Sequence, residues 1–222
     1  MRAVAVLRPE PGASATVARA RERGLDAFAI PLFKVEPVPW SAPDPGGFDA
    51  LLLTSGNALR HAGEQLDKLR ALKVYAVGEA TAEAAREAGF DIAAAGDSGV
   101  DRLLGSIEPG LRLLHLCGEE RREPMGAPQE VTSLSVYRST PIENPDLRRT
   151  HGAVALVHSP RAAQRFAELV AERGSIAIAA ISPAAAAAAG AGWQAVGAAE
   201  GPSDDALLAL AERLCNKSSG ST

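Results

Sequence analysis

The sequence has few of the features that mark nucleic-acid-binding and membrane proteins. Its 222 residues include 23 lysines and arginines against 27 aspartates and glutamates, the net charge is −4, and only 4% of the residues are aromatic. A protein that binds nucleic acid or an anionic membrane usually carries a basic patch that attracts its negative partner. The charge therefore argues against both kinds of partner.

Cysteine and long apolar runs are also scarce. The two cysteines, Cys117 and Cys215, have no Cys-x-x-Cys spacing. The apolar stretch from Ala3 to Leu7 is too short for a signal peptide or a membrane span. We therefore expect a reducing, cytoplasmic setting.

Motifs for nucleotides and metals are missing as well. Neither G-x-G-x-x-G nor G-x-x-x-x-G-K-[ST] occurs, which argues against a dinucleotide or a P-loop nucleotide. The histidines lack the spacing of metal ligands, so no metal site is predicted, and His158 is expected to be a polar residue at a strand end. Cys117 is expected to be a small core residue, because no histidine and acid can be assigned to it as catalytic partners.

Ten short apolar runs alternate with alanine- and glutamate-rich segments of helical spacing. The runs end at glycine, proline or serine, as strands commonly do. They are Ala3 to Leu7, Ala27 to Phe33, Ala50 to Leu53, Val74 to Val77, Ile92 to Ala95, Leu113 to Leu116, Val131 to Tyr137, Val154 to Val157, Ile176 to Ile181 and Ala195 to Ala198. Helical segments include Ser14 to Arg23, Asn57 to Leu69, Ala80 to Ala88, Arg161 to Glu172 and Asp204 to Leu214. This alternation predicts an α/β fold with mainly parallel, flavodoxin-like sheets.

An internal repeat relates two parts of the chain at an offset of 104 residues. It places "TSGNA" (54–58) over "HSPRA" (158–162), "DRLL" (101–104) over "DALL" (205–208), and Phe33 over Tyr137. A fixed offset that holds over several elements indicates a duplication. We therefore predict two similar lobes.

The repeat also predicts how the chain is divided between the lobes. Five strands follow one another within 42–137, whereas the other five are split between 1–34 and 144–215. The proline-rich segments 35–41 and 138–143 then connect the lobes, and proline favours an extended backbone before it. Residues 216–222 are expected to be a tail. Two lobes with a double tether should leave a cleft, a common place for a small-molecule site.

Four turns that follow strands and open helices carry candidate binding residues. They are "TSGNA" (54–58), "GEATA" (78–82), "HSPRA" (158–162) and "SPAAA" (182–186). Free backbone N–H groups and the helix dipole favour anions at such turns, which lie at the carboxyl ends of strands where ligands bind in open α/β sheets. The serines and threonine in these turns either cap their helices or help to bind a ligand with several carboxylates or phosphates.

An ordered set of motifs resembles the uroporphyrinogen-III synthase family over essentially the whole chain. The motifs are "LLLTSGNALR", "VYAVGEATAEAAREAGF", "SVYRSTP", "ALVHSPRAAQRFAEL", "IAAISPAAAAAAGAGW" and "DDALLALA". The resemblance implies two α/β lobes with a two-stranded connector and a cofactor-free, cytoplasmic, monomeric lyase of tetrapyrrole (haem) biosynthesis. Such an enzyme closes hydroxymethylbilane into uroporphyrinogen III, with loss of water and inversion of ring D. The resemblance leaves room for a transient contact with hydroxymethylbilane synthase.

The resemblance also assigns roles to single residues. Tyr137 matches the family's functionally important tyrosine at the hinge, where it is expected to donate a proton or hydrogen bond to the departing hydroxyl. Without the resemblance, the same residue is interpreted as a strand aromatic that packs near the surface. The residues expected to bind the substrate are Ser55, Gly56, Asn57, Gly78, Thr81, Ser159, Arg161 and Ser182. Arg8 is added to them because arginine matches the geometry of a carboxylate.

One turn departs from the family pattern. Ala184 and Ala185 stand where relatives often have threonines, which leaves Ser182 and the backbone as the polar groups there. Asn57 likewise stands where relatives can carry an arginine. A second hypothesis is therefore a non-catalytic, two-lobed binding or sensor protein for a polycarboxylate. The hinge tyrosine and the order of the motifs favour the synthase.

Overall fold

The computed structural model describes residues 2–96, 99–120 and 126–216. Two compact units make up the chain: the first unit consists of Met1–Lys34 with Pro141–Thr222, and the second unit is Val35–Thr140. The predicted tail 216–222 lies outside the described residues except for Asn216.

Strands and helices alternate along most of the chain. In order they are β1 (Val4–Val6), α1 (Gly12–Glu22), β2 (Ala27–Ala29), β3 (Phe33–Pro37), β4 (Ala50–Leu53), α2 (Asn57–His61), β5 (Lys73–Val77), α3 (Glu79–Glu87), β6 (Ile92–Gly96), α4 (Val100–Ser106), β7 (Arg112–Gly118), β8 (Glu130–Pro141), β9 (Val154–Val157), α5 (Pro160–Leu169), β10 (Ala177–Ala180), α6 (Pro183–Ala189), β11 (Ala195–Ala198) and α7 (Asp204–Asn216). Short 3-10 helices cover Pro45–Gly47, Gly63–Leu69 and Arg148–Thr150.

The first unit has a parallel five-stranded sheet in the order β11-β10-β9-β1-β2. Its three central strands are fully buried apolar runs, as expected when both faces of a parallel sheet are covered. Two clusters of buried side chains form its core, one including helices α1 and α7 and the other including α5 and α6. The carboxyl ends of these strands are thereby fixed at one edge of a rigid sheet.

The second unit contains most of a six-stranded sheet in the order β3-β8-β7-β4-β5-β6. The pairings from β8 to β6 are parallel. Strand β3 runs antiparallel to β8, because backbone hydrogen bonds join Ile142 to Leu32 and Val38 to Val136. The boundaries of the two units fall within β3 and β8. The prediction of an α/β fold with mainly parallel sheets is confirmed.

The two sheets share one strand order. The first runs β11-β10-β9-β1-β2 and the second, read from its far edge, β6-β5-β4-β7-β8. Ala50 pairs with Lys73 in one sheet and Val154 with Ala177 in the other, which preserves the 104-residue offset. Strand β7 is the exception: Leu113 pairs with Ala50 whereas Val4 pairs with Val154, so the offset there is 109.

Two predicted elements are interrupted. The predicted helix 57–69 is instead α2 followed by a 3-10 helix, because Gly63 has a φ of 63°, outside the right-handed helical region. The predicted strand 27–33 is two strands, β2 and β3, separated by a segment that contains Pro31. Proline has no N–H to give to the strand ladder. Eleven strands are therefore found in the described ranges where ten were predicted.

Candidate functional site

A cavity of about 300 Å³ lies at the carboxyl edge of the sheet within the second unit. Strands β4, β5, β7 and β8 and the start of α4 supply its walls. The lining residues are Thr54, Ser55, Val77, Val100, His115, Cys117, Gly118, Glu120 and Tyr137. Ligands of open α/β sheets bind at this edge, so the cavity is the candidate site.

Tyr137 is held in the cavity by close packing on Gly118. A Cβ atom at Gly118 would lie 2.8 Å from Cε2 and 3.0 Å from Cζ of the tyrosine ring, so only glycine leaves room for the ring. The ring of His61 lies 6.3 Å away between centroids, tilted by 40°. Burial raises the pKa of the Tyr137 phenol, against the lowering effect of hydrogen bonds with the Ser55 side chain and the Gly118 backbone. The phenol is therefore protonated at neutral pH and can act as a donor.

A buried histidine lies beside this tyrosine. His115, only 1% exposed, has its Nε2 3.2 Å from the Thr54 hydroxyl and its Nδ1 3.2 Å from the Ser133 hydroxyl. Each ring nitrogen thus has a hydroxyl partner that can either donate or accept. His115 was not among the residues predicted to act in the site, although a histidine within the apolar run "LLHLCG" stands out in the sequence. Cys117 is 2% exposed, and its thiol faces the Leu134 carbonyl oxygen at 3.5 Å, which agrees with the predicted core position.

Of the five predicted binding residues in the second unit, Ser55 alone lines the cavity. The Ser55 hydroxyl accepts a hydrogen bond from the Asn57 N–H at 3.2 Å, and the Asn57 side chain accepts one from Arg60. Gly56 is the N-cap of α2 and Gly78 that of α3, where Gly78 has a φ of 87° that side chains disfavour. Thr81 is 7% exposed within α3, so it does not occupy the capping position.

In the first unit, two of the predicted serines are helix caps. The Ser159 hydroxyl accepts a hydrogen bond from the Ala162 N–H at 3.1 Å, and the Ser182 hydroxyl accepts one from the Ala185 N–H at 3.2 Å. Arg161 lies in the first turn of α5 with its guanidinium 4.3 Å from the ring centroid of Phe33. Burial lowers the pKa of Arg161, yet an arginine side chain stays charged in proteins.

Arg8 belongs to a cluster of polar side chains at the carboxyl edge of the first unit. Its guanidinium donates to Asp204 at 3.3 Å and to the Thr16 hydroxyl at 3.4 Å. His158 Nε2 lies 3.0 Å from the same carboxylate oxygen, and the other oxygen accepts from Thr16 at 2.7 Å. We call Arg8, Thr16, His158 and Asp204 the aspartate cluster. The predicted strand-end position of His158 is correct, but its aspartate partner was not foreseen.

The aspartate cluster shifts the titration of its members. Burial disfavours the charged form of Asp204, but hydrogen bonds from His158 and Thr16 and the nearby charges outweigh it and lower its pKa to about 2. Burial lowers the pKa of His158, and the hydrogen bond to Asp204 only partly offsets that effect. At neutral pH a neutral His158 therefore donates to a charged Asp204.

The structure shows no metal site in residues 2–96, 99–120 and 126–216. These ranges contain no group of three or more histidine, cysteine, aspartate or glutamate residues that could hold a metal ion. They also contain no helix with the length and apolar character needed to cross a membrane.

Comparisons with known proteins agree on one family. The family model of HEM4, described as uroporphyrinogen-III synthase HemD, matches residues 14–209. A search of curated proteins found no match.

Solved structures of that family share the fold. One is uroporphyrinogen-III synthetase from Helicobacter pylori, with a TM-score of 0.68 and 19% identity over 96% of this chain and 100% of that chain. Another is a mutant uroporphyrinogen III synthase from Thermus thermophilus, with a TM-score of 0.54 and 19% identity over 97% of this chain and 99% of that chain. At this level of identity the two structures support the fold.

Proposed function

Because the chain belongs to the uroporphyrinogen-III synthase family, we propose that the cavity of the second unit holds the reacting end of hydroxymethylbilane and that Tyr137 assists the loss of its hydroxyl. The activity is that of the family: the chain is a lyase of haem biosynthesis that cyclises hydroxymethylbilane to uroporphyrinogen III, with loss of water and inversion of ring D. The comparisons give no support to the alternative of a non-catalytic binding or sensor protein.

The main observation in support of the proposed site is the position of Tyr137. Hydroxide is a poor leaving group, so its departure from the terminal carbon needs a proton or a strong hydrogen bond. The Tyr137 phenol is protonated at neutral pH, since burial raises its pKa, and it lines the cavity next to Ser55. The pyrrole nitrogen can supply the electron pair that expels the oxygen, so one well-placed donor is sufficient.

The size of the cavity limits what it can hold. A volume of about 300 Å³ is at the lower end of small-molecule sites, which suits one substituted pyrrole ring better than a whole tetrapyrrole. We propose that the remaining carboxylates bind at Arg8 and at the four turns that follow strands and open helices. The turns offer Ser55, Gly56, Asn57, Gly78 and Thr81 in the second unit, and Ser159, Arg161 and Ser182 in the first.

The two arginines expected to bind substrate lie in different settings. Arg161 is a half-buried cation at the start of α5, where the helix dipole adds to its attraction for a carboxylate. Arg8 pairs with the carboxylate of Asp204. We propose that both arginines contribute to substrate binding.

We further propose that the enzyme works as a monomer in the cytoplasm. Cys117 and Cys215 are both buried and neither forms a disulfide, which suits a reducing compartment. Delivery of hydroxymethylbilane through transient contact with hydroxymethylbilane synthase is part of the same proposal.

The role of Tyr137 is tested by Tyr137→Phe, with Tyr75→Phe as the matched control. The chain has only these two tyrosines, and Tyr75 is not among the lining residues. We expect Tyr137→Phe to lower turnover of hydroxymethylbilane by roughly ten- to a thousandfold, where general acid catalysis usually contributes about a hundred- to ten-thousandfold. Half-saturation should stay nearly unchanged, and the enzymatic product should remain the type III isomer. Parental turnover by Tyr137→Phe would show that another group supplies the proton.

A further inference from the structure

Three hydrogen-bonding side chains, Thr54, His115 and Ser133, extend from the cavity into the sheet. Thr54 follows β4, His115 lies on β7 and Ser133 on β8, and His115 is within 3.2 Å of both hydroxyls. Thr54 and His115 line the cavity, whereas the imidazole as a whole is 1% exposed. A side chain that can gain or lose a proton is thereby connected to the cavity through one hydroxyl.

The first unit shows that the fold does not need these three polar side chains. His115 pairs with Leu52 and Ser133, and in the other sheet Val6 pairs with Leu156 and Ala29. Leu52 and Leu156 are related by the 104-residue repeat, so Val6 and Ala29 are the counterparts of His115 and Ser133. Val6 is completely buried and apolar. The first unit thus folds with a valine at the same strand position. The fold does not require a histidine there, which indicates that His115 is present for another reason.

The cyclisation has two proton transfers, and Tyr137 accounts for only the first. The C–O bond breaks, the oxygen leaves as water with one added proton, and the pyrrole nitrogen supplies electrons to the carbon left behind. A carbon of the last pyrrole ring then uses its π electrons to form a new C–C bond. Inversion of ring D requires that one further C–C bond forms and one breaks, which leaves the proton count unchanged. A proton must finally be lost to restore the aromatic ring. One proton is consumed and one is released, so no oxidant or other reactant is required.

We propose that Thr54, His115 and Ser133 form a relay that accepts the proton released on ring closure, an inference that depends on the proposed function. The Thr54 hydroxyl takes the proton from the substrate while it passes its own proton to Nε2 of His115. Nδ1–H of His115 donates to the Ser133 hydroxyl, so the resulting imidazolium has an acceptor at each nitrogen. Release of that proton to solvent and reprotonation of Tyr137 return the enzyme to its starting state.

Four variants test the relay: His115→Val, which copies the first unit, His115→Gln, Thr54→Val and the double variant Thr54→Val/His115→Val. Circular dichroism and thermal unfolding establish that each is folded. We expect each single variant to lower turnover at saturating hydroxymethylbilane by roughly ten- to a hundredfold, with half-saturation nearly unchanged. The double variant should be no slower than the slower single variant, because the groups act as one unit.

His115→Gln separates proton transfer from positioning. Glutamine can hydrogen-bond to both hydroxyls but cannot carry a proton, so the relay predicts that it is as slow as His115→Val. Parental turnover by either His115 variant overturns the relay, and rescue by glutamine alone shows that His115 only positions Thr54. If Tyr137→Phe is slow but the His115 variants turn over at the parental rate, the relay is wrong and the proposed role of Tyr137 as the acid stands. If Tyr137→Phe and the His115 variants all turn over at the parental rate, the reaction does not take place in this cavity.

Discussion

Where the second unit has Thr54 beside a cavity, the first unit has His158 hydrogen-bonded to Asp204. The repeat relates Thr54 to His158 and Val100 to Asp204, and both members of the second pair are the first residue of their helix. One sheet edge therefore carries a cavity lined by hydroxyl, imidazole and carboxylate groups, whereas at the other edge an arginine and a histidine both bind one carboxylate. The same strand order was kept while the chemistry at its edge diverged.

The polar groups of the two units therefore have different expected roles, which are catalytic in the second unit and structural in the first. In the second unit the hydroxyls of Thr54 and Tyr137 face a cavity where they can contact substrate. In the first unit, Asp204 accepts hydrogen bonds from Thr16 and His158 and pairs with Arg8. Removal of one member of such a network leaves buried groups without partners and lowers stability. We therefore expect changes at Thr54 and Tyr137 to affect turnover and changes at His158 and Asp204 to affect folding.

Among the effects that test this comparison, the largest should come from the close contact between Gly118 and Tyr137. In Gly118→Ala the new Cβ would lie 2.8 Å from the tyrosine ring, so the ring must move. Misplacement of a catalytic group by about 1 Å can cost roughly a hundredfold in rate, and we expect a loss of that order in turnover of hydroxymethylbilane. Gly105→Ala is the control, because a Cβ at Gly105 of α4 meets nothing within 4 Å. Equal turnover by the two variants would show that the position of Tyr137 is unimportant.

A smaller effect, on stability, is expected in the first unit. Asp204→Asn removes the charge that Arg8 and His158 contact, and we expect it to lower the free energy of unfolding by about 1–3 kcal/mol. Turnover per folded molecule should remain within about twofold of the parent. Asp205→Asn is the matched control, since its side chain is 66% exposed and exposed ion pairs contribute little. Chemical denaturation of both variants makes the comparison, and similar losses would contradict a special role for the aspartate cluster.

The smallest effect is the pH dependence of that stability. The folded-state pKa of His158 lies below its ordinary 6.5 and that of Asp204 at about 2, below 3.8. The native state therefore binds fewer protons than the unfolded chain, and stability falls on acidification, for His158 below about pH 6.5 and for Asp204 below about pH 4. The free energy of unfolding should fall between about pH 7.5 and about pH 5.5 in both proteins. The fall should be smaller in His158→Gln than in the parent, by about 1 kcal/mol or less. Equal losses would mean that His158 does not titrate with folding.

The sequence predicted the sheets better than the site. Apolar runs such as Ala50 to Leu53 specify buried parallel strands locally, and the 104-residue repeat extended that information to the two similar sheets. Gly63 and Pro31 interrupted predicted elements because their backbone constraints act at single residues.

The cavity and the aspartate cluster depend on contacts between distant positions. Asp204 meets Arg8 and His158 only after α7 packs on the sheet. His115 meets Thr54 across neighbouring strands, 61 positions apart in the chain. No local pattern contains these pairs, although His115 stands out as a polar residue within an apolar strand. Tyr137 could be selected only through the resemblance to a family, and its packing on Gly118 required the fold.

The central claim, that the substrate reacts beside Tyr137 in the second unit, has a direct spectroscopic test. With only two tyrosines in the chain, labelling with 3-fluorotyrosine gives two ¹⁹F signals, assigned by Tyr75→Phe. Addition of uroporphyrinogen III under anaerobic conditions should shift the Tyr137 signal in proportion to the bound fraction and leave the Tyr75 signal in place. A Tyr137 signal that does not move at saturating product, with binding shown independently, would contradict the account.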